Sequence, residues 1–362
     1  MTAECGEALL FFLPHEKRIS KEPLGGGIVN DTWRLTLQSG RKYILQRLNP
    51  SVFPDSVAVQ ENLRRVTEHI HKYIHAARAS FSPPCQRPFT LFHLVPDKDG
   101  AITYSDDKGA CWRLLTYINH SRSLASLSAP AQAEEIGATL GLFHRLLAAL
   151  PPESLTDPLP GFHNTPRYLA GYDRILSAPR NPEAEDCRNF IEQHREDVFL
   201  LENACEQGRI SRQVVHGDPK VANFLFSENG EKVISLIDLD TVRPGLLLHD
   251  IGDCLRSCCN PLGEEVEHPE DIVFQADYCA AALNGYLTTA ADLLNSEDKR
   301  LLIDSVRLIS FELGLRFYSD YLLRNCYFKV EYPEQNLFRA RAQFALARSI
   351  ERQYERLCAL IR

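Results

Sequence analysis

No apolar run in this 362-residue chain approaches the length needed to cross a bilayer, so the sequence predicts no membrane-spanning helix. A basic excess is missing too. Lysine and arginine total 40 against 48 aspartates and glutamates, a formal net charge of −8, so the totals offer no broad cationic face and no nucleic-acid partner is expected. Ahead of Ala8-Leu9-Leu10-Phe11-Phe12-Leu13 there is no basic stretch, so the amino end does not read as a secretion signal or an anchor. The 11 cysteines lack a cluster at zinc-ligand spacing; Cys254, Cys258 and Cys259 fall together in what reads as one helix. The expectation is a cytoplasmic protein with reduced, buried thiols and no structural disulfides. Internal repeats and low-complexity tracts are absent as well. What remains is a chain with 44% hydrophobic content, long enough to bury a large core and to form two lobes.

The most informative stretch is Val214-Val215-His216-Gly217-Asp218-Pro219-Lys220-Val221-Ala222-Asn223-Phe224-Leu225-Phe226, followed by Val233-Ile234-Ser235-Leu236-Ile237-Asp238-Leu239-Asp240. An Asp five places before an Asn, with a second Asp closing an apolar run, is the order in which kinase-type enzymes set out a phosphoryl-transfer centre. The transferred group needs little covalent help, so the protein must align an acceptor hydroxyl and neutralise charge. Asp218, on a loop after Val214-Val215, supplies a carboxylate that can take the hydroxyl proton. Asn223 offers an amide oxygen and Asp238 a carboxylate to Mg²⁺, which prefers hard oxygen ligands in octahedral array. Ser227-Glu228-Asn229-Gly230 is a turn signal between two apolar runs, and the hairpin it predicts carries Asn223 and Asp238 towards one ion. In isolation a His-Gly-Asp is a turn and an Asp after a strand is a solvated strand end; the joint spacing favours catalysis. Asp240 reads equally as a metal or water ligand and as a structural carboxylate. His216 reads as an organiser of the loop, and His249-Asp250-Ile251-Gly252-Asp253 as its brace.

From His216-Gly217-Asp218 through Asn223 to Ile237-Asp238, the chain resembles the aminoglycoside phosphotransferase and choline kinase superfamily. That resemblance implies an α+β, protein-kinase-like, two-lobed fold, with ATP as phosphoryl donor and Mg²⁺ as its metal. Other blocks resemble the N-acetylhexosamine 1-kinases within it. They are Tyr43-Ile44-Leu45-Gln46-Arg47-Leu48-Asn49 with Phe53-Pro54-Asp55, then Ile237-Asp238-Leu239-Asp240-Thr241-Val242-Arg243-Pro244-Gly245. The third is Gly314-Leu315-Arg316-Phe317-Tyr318-Ser319-Asp320-Tyr321, with Tyr327-Phe328 and Tyr332-Pro333-Glu334-Gln335-Asn336-Leu337. The resemblance runs from about Pro23 to the C-terminal helix. It implies Asp218 as the base facing an anomeric hydroxyl, Asn223 and Asp238 as the magnesium ligands, and Arg316 and Tyr327 as residues that hold the sugar. On their own, Arg316 also reads as a helix-surface ion pair and Tyr327 as a core aromatic. Two positions depart from wider patterns. The sugar-contacting His of that group falls on Ile28, and the strand position where kinase-like folds place a phosphate-pairing lysine holds Gln46, as the N-acetylhexosamine kinases do. Arg47 then points to the opposite face of its strand.

Gly25-Gly26-Gly27, upstream of the Asp218 block in kinase order, reads as phosphate cover, because backbone amides without a Cβ can approach phosphates closely. Strand, turn and strand follow over residues 28–37, 38–40 and 41–45. Asn30 and Asp31 line the sugar side or shape a turn. Trp112-Arg113-Leu114-Leu115-Thr116-Tyr117-Ile118 reads either as the strand leading into a hinge, with backbone at Thr116 and Ile118 meeting adenine, or as a plain core strand.

Strand-like hairpins and one helix, over 57–76, fill the chain to residue 116, and long amphipathic helices with the catalytic hairpin dominate afterwards. The expected lobes are therefore 1–116, binding nucleotide, and 117–362, carrying catalysis and substrate. Residues 134–150 read as a core helix with a packed His144, stopped by Pro151-Pro152. The function so expected is an ATP- and Mg²⁺-dependent kinase making a sugar 1-phosphate from an N-acetylhexosamine or a relative, with that sugar and ATP as partners. A kinase of a choline-like amino alcohol or an aminoglycoside is the alternative, and a non-catalytic nucleotide-binding scaffold is the third.

Overall fold

A computed structural model describes residues 3–16, 19–24, 30–80, 87–177, 179 and 182–361. Helix α1 (Ala3–Phe12) precedes strands β1 (Ile19–Pro23), β2 (Asp31–Leu37) and β3 (Lys42–Arg47), helix α2 (Ser56–Ser80), and strands β4 (Tyr104–Ser105) and β5 (Cys111–Thr116). These strands form a five-stranded antiparallel sheet in the order β1-β2-β3-β5-β4. Strand alternation sorts its side chains into two faces. Leu35, Leu37, Tyr43, Leu45, Trp112 and Leu114 pack beneath Cys5, Ala8, Leu9 and Phe12 of α1. Ile44 and Leu115, cross-strand partners, turn the other way and join Leu63, Val66 and Ile70 of α2. Gln46 and Arg113, also partners, share this second face.

The larger, mainly helical part contains β6 (Ser121–Ser123), α3 (Pro130–Leu147), α4 (Thr165–Ile175), α5 (Glu185–Gln193), α6 (Leu200–Glu206), β7 (Gln213–Val215), β8 (Phe224–Ser227), β9 (Val233–Leu236), β10 (Arg243–Gly245), α7 (Leu247–Cys258), α8 (Ala276–Ala290), α9 (Ser296–Leu322), α10 (Gln335–Arg352) and α11 (Tyr354–Cys358). Strand β6 pairs with β8, which pairs with β9, and β7 pairs with β10. Helices α3 and α8 pack tightly, as do α9 with α10 and with α7. The long α9 begins at a capping box in which Asn295 accepts from the Asp298 amide and Asp298 accepts from the Asn295 amide. The main apolar core runs from α2 through Leu115 to Leu140, Phe143, Val215 and Leu248, so it passes under both lobes.

The expected α+β, kinase-like two-lobed architecture is what the chain forms, with three local corrections. The core helix expected over 134–150 is α3, which starts four residues earlier, because Pro130 fits the first helical turn where its missing N–H costs nothing, and ends at Leu147, three residues earlier. The helix expected over 57–76 extends to Ser80. The strand expected to begin at residue 28 starts at Asp31 among the described residues; Gly25, Gly26, Gly27, Ile28 and Val29 lie outside them. The described cysteines are all free thiols, and no described helix is long and apolar enough to cross a membrane.

Candidate active site

Strand β7 buries Val214 and Val215, and the chain then turns sharply at His216 and Gly217. The turn is pinned by Asp250 of α7, whose two carboxylate oxygens accept from the His216 amide (2.6 Å) and the Gly217 amide (2.8 Å). His144 of α3 shares that carboxylate at 2.9 Å, and its other nitrogen meets the Tyr286 hydroxyl of α8 at 2.8 Å. Burial opposes a charge on Asp250, yet the His144 hydrogen bond and the neighbouring amides hold it below the ordinary carboxylate range. The His216 ring spans the loop, with Nε2 against the Ile237 carbonyl (2.9 Å) and Nδ1 accepting from the Asp218 amide (3.2 Å). That pattern needs a neutral ring, in keeping with a pKa lowered by burial. Gly217 has φ +90°, and a Cβ there would meet the Thr241 carbonyl at 2.7 Å, so no other residue fits without a shift.

Asp218 projects from this turn. Its carboxylate lies 2.6 Å from the ammonium of Lys220, and both side chains stay partly exposed, at 28% and 39%, so an outside molecule can reach them. Burial alone would raise the Asp218 pKa, but the Lys220 charge and hydrogen bond bring it below the ordinary value. Asp218 is therefore ionised at neutral pH. The Asn223 amide nitrogen donates to the Asp218 carbonyl (2.7 Å) and more weakly to its carboxylate (3.3 Å), which turns the amide oxygen away from Asp218.

The β8–β9 hairpin then does what its sequence predicts. Phe224 and Leu236 are cross-strand partners and the Ile237 amide donates to the Asn223 carbonyl (2.9 Å), so Asn223 and Asp238 flank the same end of the ladder. Asp238 has left-handed backbone angles, φ 65° and ψ 56°, an uncommon conformation outside glycine that clusters at functional sites. Its side chain is exposed, yet the protein packed around the carboxyl and the nearby charges of Asp240 and Asp218 push it up to about 6. A carboxylate crowded by like charges beside an amide oxygen is a site whose repulsion a hard divalent cation relieves.

Asp240, which the sequence left undecided, is buried and structural in its contacts. It lies 2.6 Å from the Arg113 guanidinium of β5, with both side chains almost fully enclosed, and accepts from the Asn30 amide at 2.6 Å. The close Arg113 Nη1 to Asp240 Oδ1 approach is an ion pair lacking the direction of a hydrogen bond. Arg113 Nε donates to Gln46 at 2.8 Å, and Gln46 donates to Thr32 at 3.2 Å, completing a polar ladder across three strands. Arg47 points to the opposite face, pairing with Asp31 at 2.7 Å. Asn30 is thus committed to Asp240 and, through its oxygen, to the Asn49 amide, and Asp31 to Arg47. At the end of β5 the Thr116 amide and hydroxyl both bond His93, while the Ile118 carbonyl accepts from Ser121.

Arg316 and Tyr327 sit elsewhere on the large lobe, on α9 and in the segment that follows it. Arg316 makes no ion pair among the described residues, contrary to the helix-surface alternative; its guanidinium lies 5.1, 5.2 and 5.6 Å from the ring centres of Phe162, Tyr168 and Phe328. Burial opposes its charge, but Tyr168 and Glu312 raise its pKa, and the field of Asp218 reaches it as well. Tyr327 is not a core aromatic, being 56% exposed. Its backbone is held by Asp320, which accepts from the Tyr327 amide (2.8 Å), the Phe328 amide (2.9 Å) and Asn336 (3.0 Å).

Residues 21–290 match the model of the family described as "Phosphotransferase enzyme family" (APH). The chain belongs to this family. Solved structures share the fold of this phosphotransferase at low identity. Amicoumacin kinase hAmiN in complex with AMP-PNP, Ca²⁺ and Ami is 14% identical with a TM-score of 0.64, covering 94% of this chain and 92% of that one. A microcompartment-associated aminopropanol kinase is 14% identical at 0.59, with 97% of each chain covered. Choline kinase from Cryptosporidium parvum is 13% identical at 0.57, over 94% of this chain and 91% of that one. Sequence reasoning overlooked two charged residues here. Lys220 stood in the motif, two places after Asp218, where its reach to that carboxylate was legible. Arg113 gave no such signal, since only the folded cleft brings β5 to Asp240.

Proposed function

We propose that this phosphotransferase is an ATP- and Mg²⁺-dependent small-molecule kinase, with lobes 1–116 and 117–362, that phosphorylates the anomeric hydroxyl of an N-acetylhexosamine or a related sugar. The convergence of Asp218, Asn223 and Asp238 at one end of the β8–β9 hairpin carries the reading. Asp218, ionised beside Lys220, accepts the proton of the acceptor hydroxyl as its oxygen bonds to the γ-phosphorus and the bond from that phosphorus to the ADP oxygen breaks. Lys220 places a cation where the transferred charge passes. Asn223 and Asp238 would hold Mg²⁺. Among the described residues no group of three His, Cys, Asp or Glu suits a metal, and an amide with one carboxylate fits an ion whose other ligands are phosphates and water. When bound, that ion neutralises the donor phosphates. Gln46, on the second face of the small sheet, and the backbone of Thr116 and Ile118 would meet the nucleotide.

Arg316 favours an uncharged acceptor. Three aromatic rings at this spacing would otherwise suit a quaternary ammonium, but the guanidinium already fills them. A cationic substrate would meet like charge there, whereas hydroxyls and an acetamido carbonyl give Arg316 and Tyr327 hydrogen-bonding partners. A kinase of amino alcohols or aminoglycosides is the second reading, supported by the fold shared with an aminopropanol kinase and a choline kinase. ADP release should be measured with Mg²⁺-ATP across N-acetylglucosamine, N-acetylgalactosamine, choline, ethanolamine and kanamycin, with a phosphorus NMR spectrum of each product. A sugar 1-phosphate signal is expected. Turnover confined to the amines would replace the sugar reading by the second.

A further inference from the structure

His163 belongs to no motif in the sequence, yet both of its ring nitrogens are engaged. Nε2 lies 2.8 Å from the Gly217 carbonyl oxygen and Nδ1 lies 2.9 Å from Oε1 of Glu312, with both side chains buried. A peptide carbonyl can only accept, so Nε2 carries a proton. One more proton is shared between Nδ1 and Glu312. It belongs on the more basic partner, and imidazole ordinarily titrates near ~6.5 against ~4.3 for a glutamate. The surroundings reinforce that order. Thr165 donates its hydroxyl to Oε2 of Glu312 at 2.7 Å, and Arg316, one turn further along α9, adds positive charge beside the carboxylate.

The other charged and titratable groups facing His163 are Arg243 on β10 and His249 and Asp253 on α7. Arg243 works against a charged ring and Asp253 works for it. His249, with its ring centre 5.3 Å away, is kept neutral first by burial and then by the charge of His163. Burial opposes ionisation of His163 itself, but the charge and hydrogen bond of Glu312 raise its pKa above the ordinary value.

We propose that His163 is a positioning residue: a buried imidazolium, paired with Glu312, that fixes the Gly217 carbonyl and so ties the loop bearing Asp218 to the face of α9 bearing Arg316. The tie rests on reading Asp218 as the base and Arg316 as an acceptor contact. Backbone conformation supports a specialised role. His163 sits at φ 57° and Gly217 at φ 90°, so a residue in the uncommon left-handed region is held against one whose amide and carbonyl are both fixed. Rotating the Gly217 peptide, and with it Asp218, would break a charge-assisted hydrogen bond in a buried site.

Histidine-selective ¹⁵N labelling of the full chain reads the charge directly, with His163→Gln assigning the resonances. Both ring nitrogens of His163 should fall in the protonated range at pH 7.5, and in Glu312→Gln the ring should titrate near or below about 6.5. Kinetics read the tie. Glu312→Gln should lower kcat by about ten- to a hundredfold while KM for ATP stays within about twofold, and it should move the alkaline limb of the kcat profile to lower pH. Thr165→Val removes one hydrogen bond to Glu312 but keeps its charge, so it should not move that limb to lower pH, and a downward shift equal to that of Glu312→Gln would overturn the assignment of the shift to the lost carboxylate charge. A neutral His163 ring in the wild type at pH 7.5 would overturn the proposal. So would a folded Glu312→Gln enzyme whose alkaline limb stays in place. An imidazolium signature in a protein that turns over no acceptor would support the charge assignment and overturn the kinase reading instead.

Discussion

Asp218 and Asp238 lie close together, yet Lys220 holds the first below the ordinary carboxylate range against burial, while partial desolvation and the charges of Asp240 and Asp218 push the exposed second up to about 6. The first shift keeps Asp218 ionised, as its proposed role as base requires. Asp218→Asn should therefore lower kcat by about 10²- to 10⁴-fold with little change in nucleotide affinity, measured by single-turnover ADP release and equilibrium nucleotide titration. Near wild-type turnover would assign the base elsewhere. The second shift is a linkage statement. Because Asp238 binds its proton more tightly in the folded state than its ordinary value of about 3.9 allows, the metal-free protein loses stability as pH rises from about 4 through about 6. Mg²⁺ binds the ionised form and reverses that loss. Melting curves should show Mg²⁺ raising Tm more at pH 7.5 than at pH 5, with the difference abolished in Asp238→Asn; a Tm indifferent to Mg²⁺ at pH 7.5 would count against Asp238 as a ligand. The placement of Asp218, Asn223 and Asp238 was legible because a short hairpin converts sequence spacing directly into proximity. Arg113, His163 and Glu312 were illegible because each meets its partner only through tertiary packing, which spacing along the chain does not encode.

At the scale of elements, local patterns were read well and distant pairings were not. Apolar runs around a glycine-containing turn announced β8 and β9, whereas β6 pairs with β8 from far upstream and left no mark in the sequence. The contact between α3 and α8 was equally hidden. A Cβ built at Gly137 of α3 would overlap the Ala282 carbonyl of α8, and one at Gly285 of α8 would overlap the Glu134 carbonyl of α3, so each helix presents a glycine to the backbone of the other. This contact also seats His144 against Tyr286 and, through Asp250, the turn at His216 and Gly217. Gly→Ala inside a helix ordinarily stabilises by about 0.5–1 kcal/mol. Here the sign should reverse, because the added carbon meets a carbonyl rather than solvent. Gly285→Ala should cost about 1–3 kcal/mol in urea denaturation, the range seen when a packed core is overfilled. A neutral or stabilising result would mean that the two helices separate more easily than their packing implies.

Across the whole molecule, the small sheet and the helical lobe are joined in two ways of different character. One is the apolar core, which continues from α2 and Leu115 into α3 and β7 without a break. The other is polar and local to the cleft: Asp240, two residues beyond Asp238, is tied to Arg113 and Asn30 of the small lobe. The polar tie either adds to that junction or serves the cleft by holding the segment from Asp238 to Asp240. These two explanations separate under mutation. Removing one partner of a buried ion pair leaves the other charge uncompensated, so Asp240→Ala should destabilise by about 3–5 kcal/mol, whereas Arg113→Met combined with Asp240→Leu should recover most of that loss, because apolar replacement of both charges is often neutral. If the tie serves the cleft, the double variant should melt near the wild-type temperature and still show a raised KM for Mg²⁺-ATP, with a coupling energy between the two sites in the double-mutant cycle. A double variant with both wild-type stability and wild-type nucleotide use would show that Arg113 and Asp240 only fill space between the lobes.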